Sequence, residues 1–264
     1  RRMRAIWKGA ISFGLVTILI GVYSATEDRR PKFRQLRESD HSPIRYRRVA
    51  ENDGEEVENS EIVKGYEFEK GRYVVFTDEE LANAAAGGPA KMVDVVQFVE
   101  QSEIDPIYYQ KSYYLAPEST GVKAYEILRK ALQDKNRVGI AKVAMRGKEH
   151  LATLRADGHV LILETMFWPD EIREADFEEL DIDIEVREEE IKMAEMIIDN
   201  LTAEFDPEQW TDSSRQAVEE LAQAKIDGEE IVAPESPEPT KVIDLLDALK
   251  ASVEATKAQR KKAG

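Results

Sequence analysis

The sequence predicts a β-rich α+β fold: a barrel of short strands over residues 4–163, then helices over 164–232. Three observations carry this. The first part holds a series of short β-branched or aromatic runs. The last of these runs form a meander with turn residues between them. Beyond residue 164 the apolar spacing changes from alternation to a helical period.

Residues 4–18 read as two strands around a glycine-bearing turn. Ile11, Phe13 and Leu15 are placed on one face. Ala10, Ser12, Gly14 and Val16 make the other, a small-residue face that another layer can approach closely. Further strands are predicted at 73–76, 93–99, 138–145, 151–154 and 160–163. The last three form the meander, turning through 146–149 and 155–159. Residues 125–132 read as a short helix with Ile127, Leu128, Ala131 and Leu132 on its buried face. Many short strands with no other sheet to pair with close on themselves.

In the helical part, Ile191, Ala194, Ile198 and Leu201 recur at i, i+3, i+7 and i+10, and Ala217, Leu221 and Ala224 make a second stripe. Periodicity leaves open whether these stripes pack on their own barrel or on a partner. Residues 233–241 hold three prolines and read as an extended linker. After it Val242, Leu245, Leu246, Leu249 and Val253 recur at i, i+3, i+4, i+7 and i+11. The spacing predicts an amphipathic helix that either enters a partner's groove or docks on the parent domain. A basic tail follows within 242–264.

Composition narrows the function. The 264 residues include no cysteine, so disulfides and thiolate metal sites are excluded. No run of 18 apolar residues is present, and the expectation is a cytoplasmic protein. Net charge is −16, but it is unevenly spread. Residues 1–48 carry 12 Lys/Arg against 4 Asp/Glu, and residues 164–240 carry 5 against 26. Only the surface that meets a polyanion must be basic. Phosphate-loop, dinucleotide and HExxH patterns are absent, and the three histidines, His41, His150 and His159, are far apart and expected at the surface. No catalytic residue, cofactor or metal is predicted.

The wording of several segments is more specific. R-A-I-W-K-G-A-I-S-F-G-L-V-T-I at 4–18 is followed by Y-S-A-T-E-D at 23–28 and I-R-Y-R-R-V at 44–49. Then come K-G-Y-E-F-E-K-G-R-Y-V-V at 64–75, D-P-I-Y-Y at 105–109, Y-Y-L-A-P at 113–117 and W-P-D-E-I-R at 168–173. In this order they resemble the bacterial Ku family, across about residues 3–231. The resemblance implies a Ku-core-like β-barrel over 3–163 with a DNA-encircling bridge at about 29–77. It implies a helical dimerisation arm at 164–232 and a ring-shaped homodimer that binds double-stranded DNA ends without sequence preference. It also implies non-homologous end joining, recruitment of the ATP-dependent DNA ligase D and association with the nucleoid. Many members carry Cys-x-x-Cys just after I-R-Y-R-R-V; here Ala50 and Asp53 stand there. Where the family reads I-P-V-K-L-Y, this chain has I-L-I-G-V-Y at 18–23, with Gly21 in the lysine's place.

A binder that accepts any sequence works through charge against phosphate. The 29–48 stretch supplies eight basic residues in 20: Arg29, Arg30, Lys32, Arg34, Arg37, Arg45, Arg47 and Arg48. On a strand Arg45 and Arg47 share a face, leaving Tyr46 to pack opposite. Lys8, Lys64, Lys70, Arg72, Lys142, Arg146 and Lys148 complete the candidate DNA-binding set, and Arg155 lies on the same meander. Val242, Leu245, Leu246, Leu249 and Val253 are the candidate ligase-binding face. Two rival readings remain: an acidic scaffold or DNA mimic working through 164–240, and a carboxylate-based nuclease.

Overall fold

A computed structural model describes residues 3–85, 91–145, 148–180, 182, 184–228 and 249–255. Strands β1 (Trp7–Phe13) and β2 (Val16–Ser24) pair antiparallel with Phe13 opposite Val16. The two-residue turn works because Gly14 takes a positive φ of 59° at no steric cost. Ile11, Ile18, Ile20 and Val22 point inward and are fully buried. Leu15 sits at the turn apex and is fully exposed, so it does not share one face with the buried Ile11 as alternation predicts. Alternation applies only while the chain is extended, and it ends at Gly14.

The barrel strands are completed by β5 (Met92–Val99), β6 (Tyr109–Pro117), β7 (Val138–Met145), β8 (Lys148–Asp157) and β9 (Val160–Met166). They close in the order β1-β2-β6-β9-β8-β7-β5. Neighbours are antiparallel except at the seam, where β1 and β5 run parallel through Ala10–Met92, Ile11–Val93 and Ser12–Asp94. Closure removes sheet edges. A Cβ at Gly9 would collide with the Trp7 ring and the Lys91 carbonyl, so the seam needs glycine there. The meander is as expected, but β8 runs three residues past Leu154, leaving a tight turn at Gly158 (φ 51°) and His159.

Each inner wall contributes fully buried aliphatics: Val93, Leu115, Val143, Leu154, Leu161 and Leu163. Burying each such side chain is worth about 1.5–3 kcal/mol. Helix α2 packs against the same core through Tyr125, Leu128 and Leu132. It spans Val122–Lys135 and ends on Asn136 in the left-handed conformation. Its buried face differs from the one expected: Ile127 is 59% exposed and Ala131 is exposed, while Arg129 is buried. Positions 125, 128, 129 and 132 fall on one side of a 3.6-residue helix, and 127 and 131 on another. Arg129 is tolerated inside because its guanidinium forks onto Glu126 at 2.7 and 2.8 Å and also donates to Gln133 and the Gly158 carbonyl.

Tyr125 makes a second polar link. Its hydroxyl donates to the Leu115 carbonyl and accepts from the Leu161 N–H, both at 2.6 Å. Leu115 and Leu161 are the last paired residues of the β6–β9 ladder. The helix thus closes the hydrogen-bonding pattern where the strands part. Burial, the largest influence, holds the phenol above its ordinary pKa.

Between β2 and β5 the chain leaves the barrel. Residues 30–58 form no regular strand, only isolated pairings of Leu36 with Pro43 and Val49 with Glu56. A two-stranded ribbon follows, β3 (Lys64–Glu69) with β4 (Arg72–Phe76), and then the short helix α1 (Asp78–Ala85).

The chain divides into two units. The first, through Glu174 but without 30–33, holds the barrel and ribbon. The 163/164 boundary read from sequence thus falls inside β9. The second holds helices α3 (Glu188–Leu201) and α4 (Ser213–Asp227). Asp212 caps α4 by accepting from the Arg215 N–H at 2.9 Å, and Gly228 (φ 77°) ends it. The stripe residues Ile191, Ile198, Leu201 and Leu221 are exposed, as are Phe205 and Trp210. Exposed apolar stripes along helices mark surfaces that a partner can cover.

Among the described residues, no helix is long and apolar enough to cross a membrane.

Candidate nucleic-acid interface

The basic 29–48 stretch is held by two small loops. In the first, the Arg37 N–H donates to the Ser42 carbonyl and the Ile44 N–H to the Gln35 carbonyl. Asp40 ties the loop inside: it takes the Arg37 guanidinium, with Nε at 2.9 Å, and the Ser42 N–H at 3.1 Å. The Arg37 guanidinium first, and the Ser42 amide second, hold the Asp40 carboxyl well below the usual carboxylate range. A depressed folded pKa means that this contribution is complete above the unfolded value and is lost as pH falls through the folded one. The Ser42 amide resonance should therefore stay in its neutral-pH position through pH 4. A midpoint near the ordinary aspartate value would contradict the pairing.

The second loop runs from Arg48 to Val57, whose N–H donates to the Arg48 carbonyl. At its tip stand Ala50 and Asp53, the positions of the expected cysteine pair. Hydrogen bonds shape this turn: Gly54 N–H to the Ala50 carbonyl at 2.9 Å, and Glu55 N–H to Asp53 Oδ1 at 3.0 Å. Gly54, at φ 74°, takes the left-handed conformation that the turn requires. Among the described residues no group of three or more His, Asp or Glu could hold a metal ion.

Between the loops, residues 45–48 belong to no strand. Tyr46 does not pack, as expected of it; it is exposed and its hydroxyl donates to Gln35. A strand environment that would cover it does not form. Arg47 pairs with Glu56 at 2.8 Å.

The candidate cations separate into two groups. Lys8 pairs with Glu118 at 3.1 Å, Arg29 with Glu27 at 3.4 Å, Lys64 with Asp78 at 2.8 Å, Arg72 with Glu69 at 2.6 Å and Lys142 with Glu149 at 3.8 Å. Arg37 and Arg47 belong with them. Such exposed pairs are worth about 0–1 kcal/mol and yield readily to a phosphate. Lys32, Arg34, Arg45, Arg48, Lys70 and Lys148 are exposed and make no ion pair with the described residues. Arg30 is exposed and lies, with Lys32, in the second unit's short segment. Arg155 is a structural cation instead, half-buried between Glu164 at 2.9 Å and Asp157 at 3.5 Å. Arg146 lies outside the described residues.

Of the apolar candidates, Val242, Leu245 and Leu246 also lie outside the described residues. Leu249 is half-buried and Val253 buried on a helical stretch at 249–255. The two described residues of that face are thus at least partly covered. His41 and His159 are exposed as expected; His150 is half-buried on β8, opposite Val143.

Sequence reasoning concentrated on charge and passed over the exposed aromatics of the ribbon, Tyr66, Phe68 and Tyr73. Their signal was present in the alternation of aromatic and charged residues over 64–73.

Comparison with known proteins bears on the same regions. The family described as "Ku: Ku70/Ku80 beta-barrel domain" matches residues 12–193. Three relatives carry the name "Non-homologous end joining protein Ku". That of Frankia casuarinae is 49% identical over 98% of this chain, which spans 65% of the relative's length. That of Heliobacterium modesticaldum is 45% identical, with 98% of this chain and 95% of the relative covered. That of Bacillus subtilis is 42% identical, covering 97% and 83%. The closed barrel, the ordered motifs and a family match over more than half of the chain lead to one conclusion: this chain belongs to the bacterial Ku family.

Proposed function

We propose that this chain binds double-stranded DNA ends, without sequence preference, as a homodimeric ring in non-homologous end joining, catalysing no step itself. The observation that carries this reading is the set of exposed cations that make no ion pair with the described residues, Arg34, Arg45 and Arg48, on loops that leave the barrel wall between β2 and β5. Arginine on a flexible stem reaches phosphate oxygens and carries no sequence information in doing so. The names of the relatives support the pathway. The exposed apolar residues of α3, α4 and the segments beside them support a partner subunit as their cover. A closed ring admits DNA only through a free end, so topology supplies the specificity. By family resemblance, the C-terminal segment recruits ligase D.

The test is a duplex of about 40 bp with free ends, against the same duplex with both ends blocked by streptavidin, in EDTA. The expected result is retention on the free-ended form alone, with the DNA intact and a protein mass twice the 30.0 kDa of one chain. If six to ten phosphates are neutralised, affinity falls about 10³–10⁵-fold between 50 and 200 mM salt. Equal retention on both duplexes overturns the ring. Retention on neither favours the acidic 164–240 segment as the working surface.

A further inference from the structure

The β3–β4 ribbon is exposed on both faces, but its faces differ. Register places Lys64, Tyr66, Val74 and Phe76 on one face, with Gly65, Glu67, Tyr73 and Val75 on the other. The register shifts between Glu67 and Glu69, and this bulge brings Arg72 and Glu69 opposite each other. The Arg72 guanidinium lies over the Phe68 ring, 4.9 Å from its centroid. Arg72 alternates with Val74, so this contact puts Phe68 on the face that carries Tyr66. Tyr66 is 64% exposed and Phe68 49%. Glu67 is occupied by the turn, where its carboxylate accepts the Gly71 N–H at 2.8 Å.

We propose that this face stacks unpaired bases of a single-stranded extension at a DNA end. The inference rests on the end-binding reading above and adds a ligand class to it. Aromatic rings gain nothing from a duplex whose base faces are already stacked, but they bind exposed bases of any sequence. Strand rise separates alternate residues by about 7 Å. Successive bases stack about 3.4 Å apart, so two neighbouring rings on one face can each take a base of the same strand. Lys64, Lys70 and Arg72 flank the rings and meet the phosphates of the same strand. Lys70 makes no ion pair with the described residues, and the exposed Lys64–Asp78 pair can be exchanged for phosphate. A second copy of the ribbon is a poorer occupant, because the same three cations would face each other.

The experiment compares a blunt duplex with the same duplex carrying a ten-nucleotide thymidine overhang, using the full chain. Wild-type protein should bind the overhang form about tenfold more tightly. Tyr66→Leu and Phe68→Leu keep apolar bulk and remove the rings. Together they should bring the overhang affinity back to the blunt value, with blunt binding and protein mass unchanged. The proposal is overturned by equal wild-type affinity for both DNAs, by equal weakening of both in the variant, or by a variant of half the mass. Retention of the free thymidine strand without retention of the blunt duplex would overturn end binding and leave the stacking face standing.

Discussion

Replacing Arg45 and Arg48 by alanine should weaken duplex binding steeply and flatten its salt dependence. Each phosphate contact contributes about one to the slope of log affinity against log salt. In the proposed dimer, two residues in each subunit make four contacts, so the slope should fall by about four. Both side chains are exposed and make no ion pair with the described residues, so their loss leaves no carboxylate stranded. Arg47→Ala is the control. Arg47 is held by Glu56, and removing it frees that carboxylate to repel the phosphates. Its effect on the slope should be no more than two. Binding isotherms at several salt concentrations decide the matter; an unchanged slope in the double variant would remove these arginines from the interface.

Tyr125→Phe should lower the stability of the barrel by about 2–4 kcal/mol while leaving the cations in place. The substitution removes one oxygen, yet it deprives two buried backbone groups, the Leu115 carbonyl and the Leu161 N–H, of a partner. Each buried polar group left unsatisfied costs about 1–3 kcal/mol. The ladder between β6 and β9 ends at this pair, so neither strand can supply a replacement. Denaturant unfolding followed by the tryptophan signal measures the change. A loss under 1 kcal/mol would mean that water or a shifted strand takes over the role.

How much of this was legible in the sequence depended on how local the governing physics was. Strands β4, β5, β7 and β9 announced themselves by β-branched runs, and the helical stripes by their period. Strand β6 did not, because Y-Q-K-S-Y-Y-L-A-P has no clean alternation: its inward residues are Tyr113 and Leu115, and Tyr114 stands between them. The buried face of α2 was misread because Arg129 looks like a surface residue until Glu126, Gln133 and the Gly158 carbonyl surround it. Alternation carried across the turn puts Leu15 on the face of Ile11, where the chain does not place it. The candidate interface is legible only as charge, since eight cations within 29–48 are plain in the sequence. Which of the candidate cations are already engaged by carboxylates is not legible, because Glu56, Asp78, Glu118 and Glu149 reach Arg47, Lys64, Lys8 and Lys142 only after folding.

The parallel seam also bears on the history of the molecule. Strand β1 is flanked by β2, where the long excursion begins, and β5, where it ends. Departure and return thus lie on the two strands that flank β1, at the same end of the barrel. Everything in residues 25–91 hangs from one short stretch of barrel rim. The entropy of closing such a loop grows only with the logarithm of its length, about 0.6 kcal/mol per doubling. Insertions and deletions there cost the barrel almost nothing. A lineage could therefore lengthen, shorten or exchange this segment, cysteine turn included, while the scaffold kept its stability.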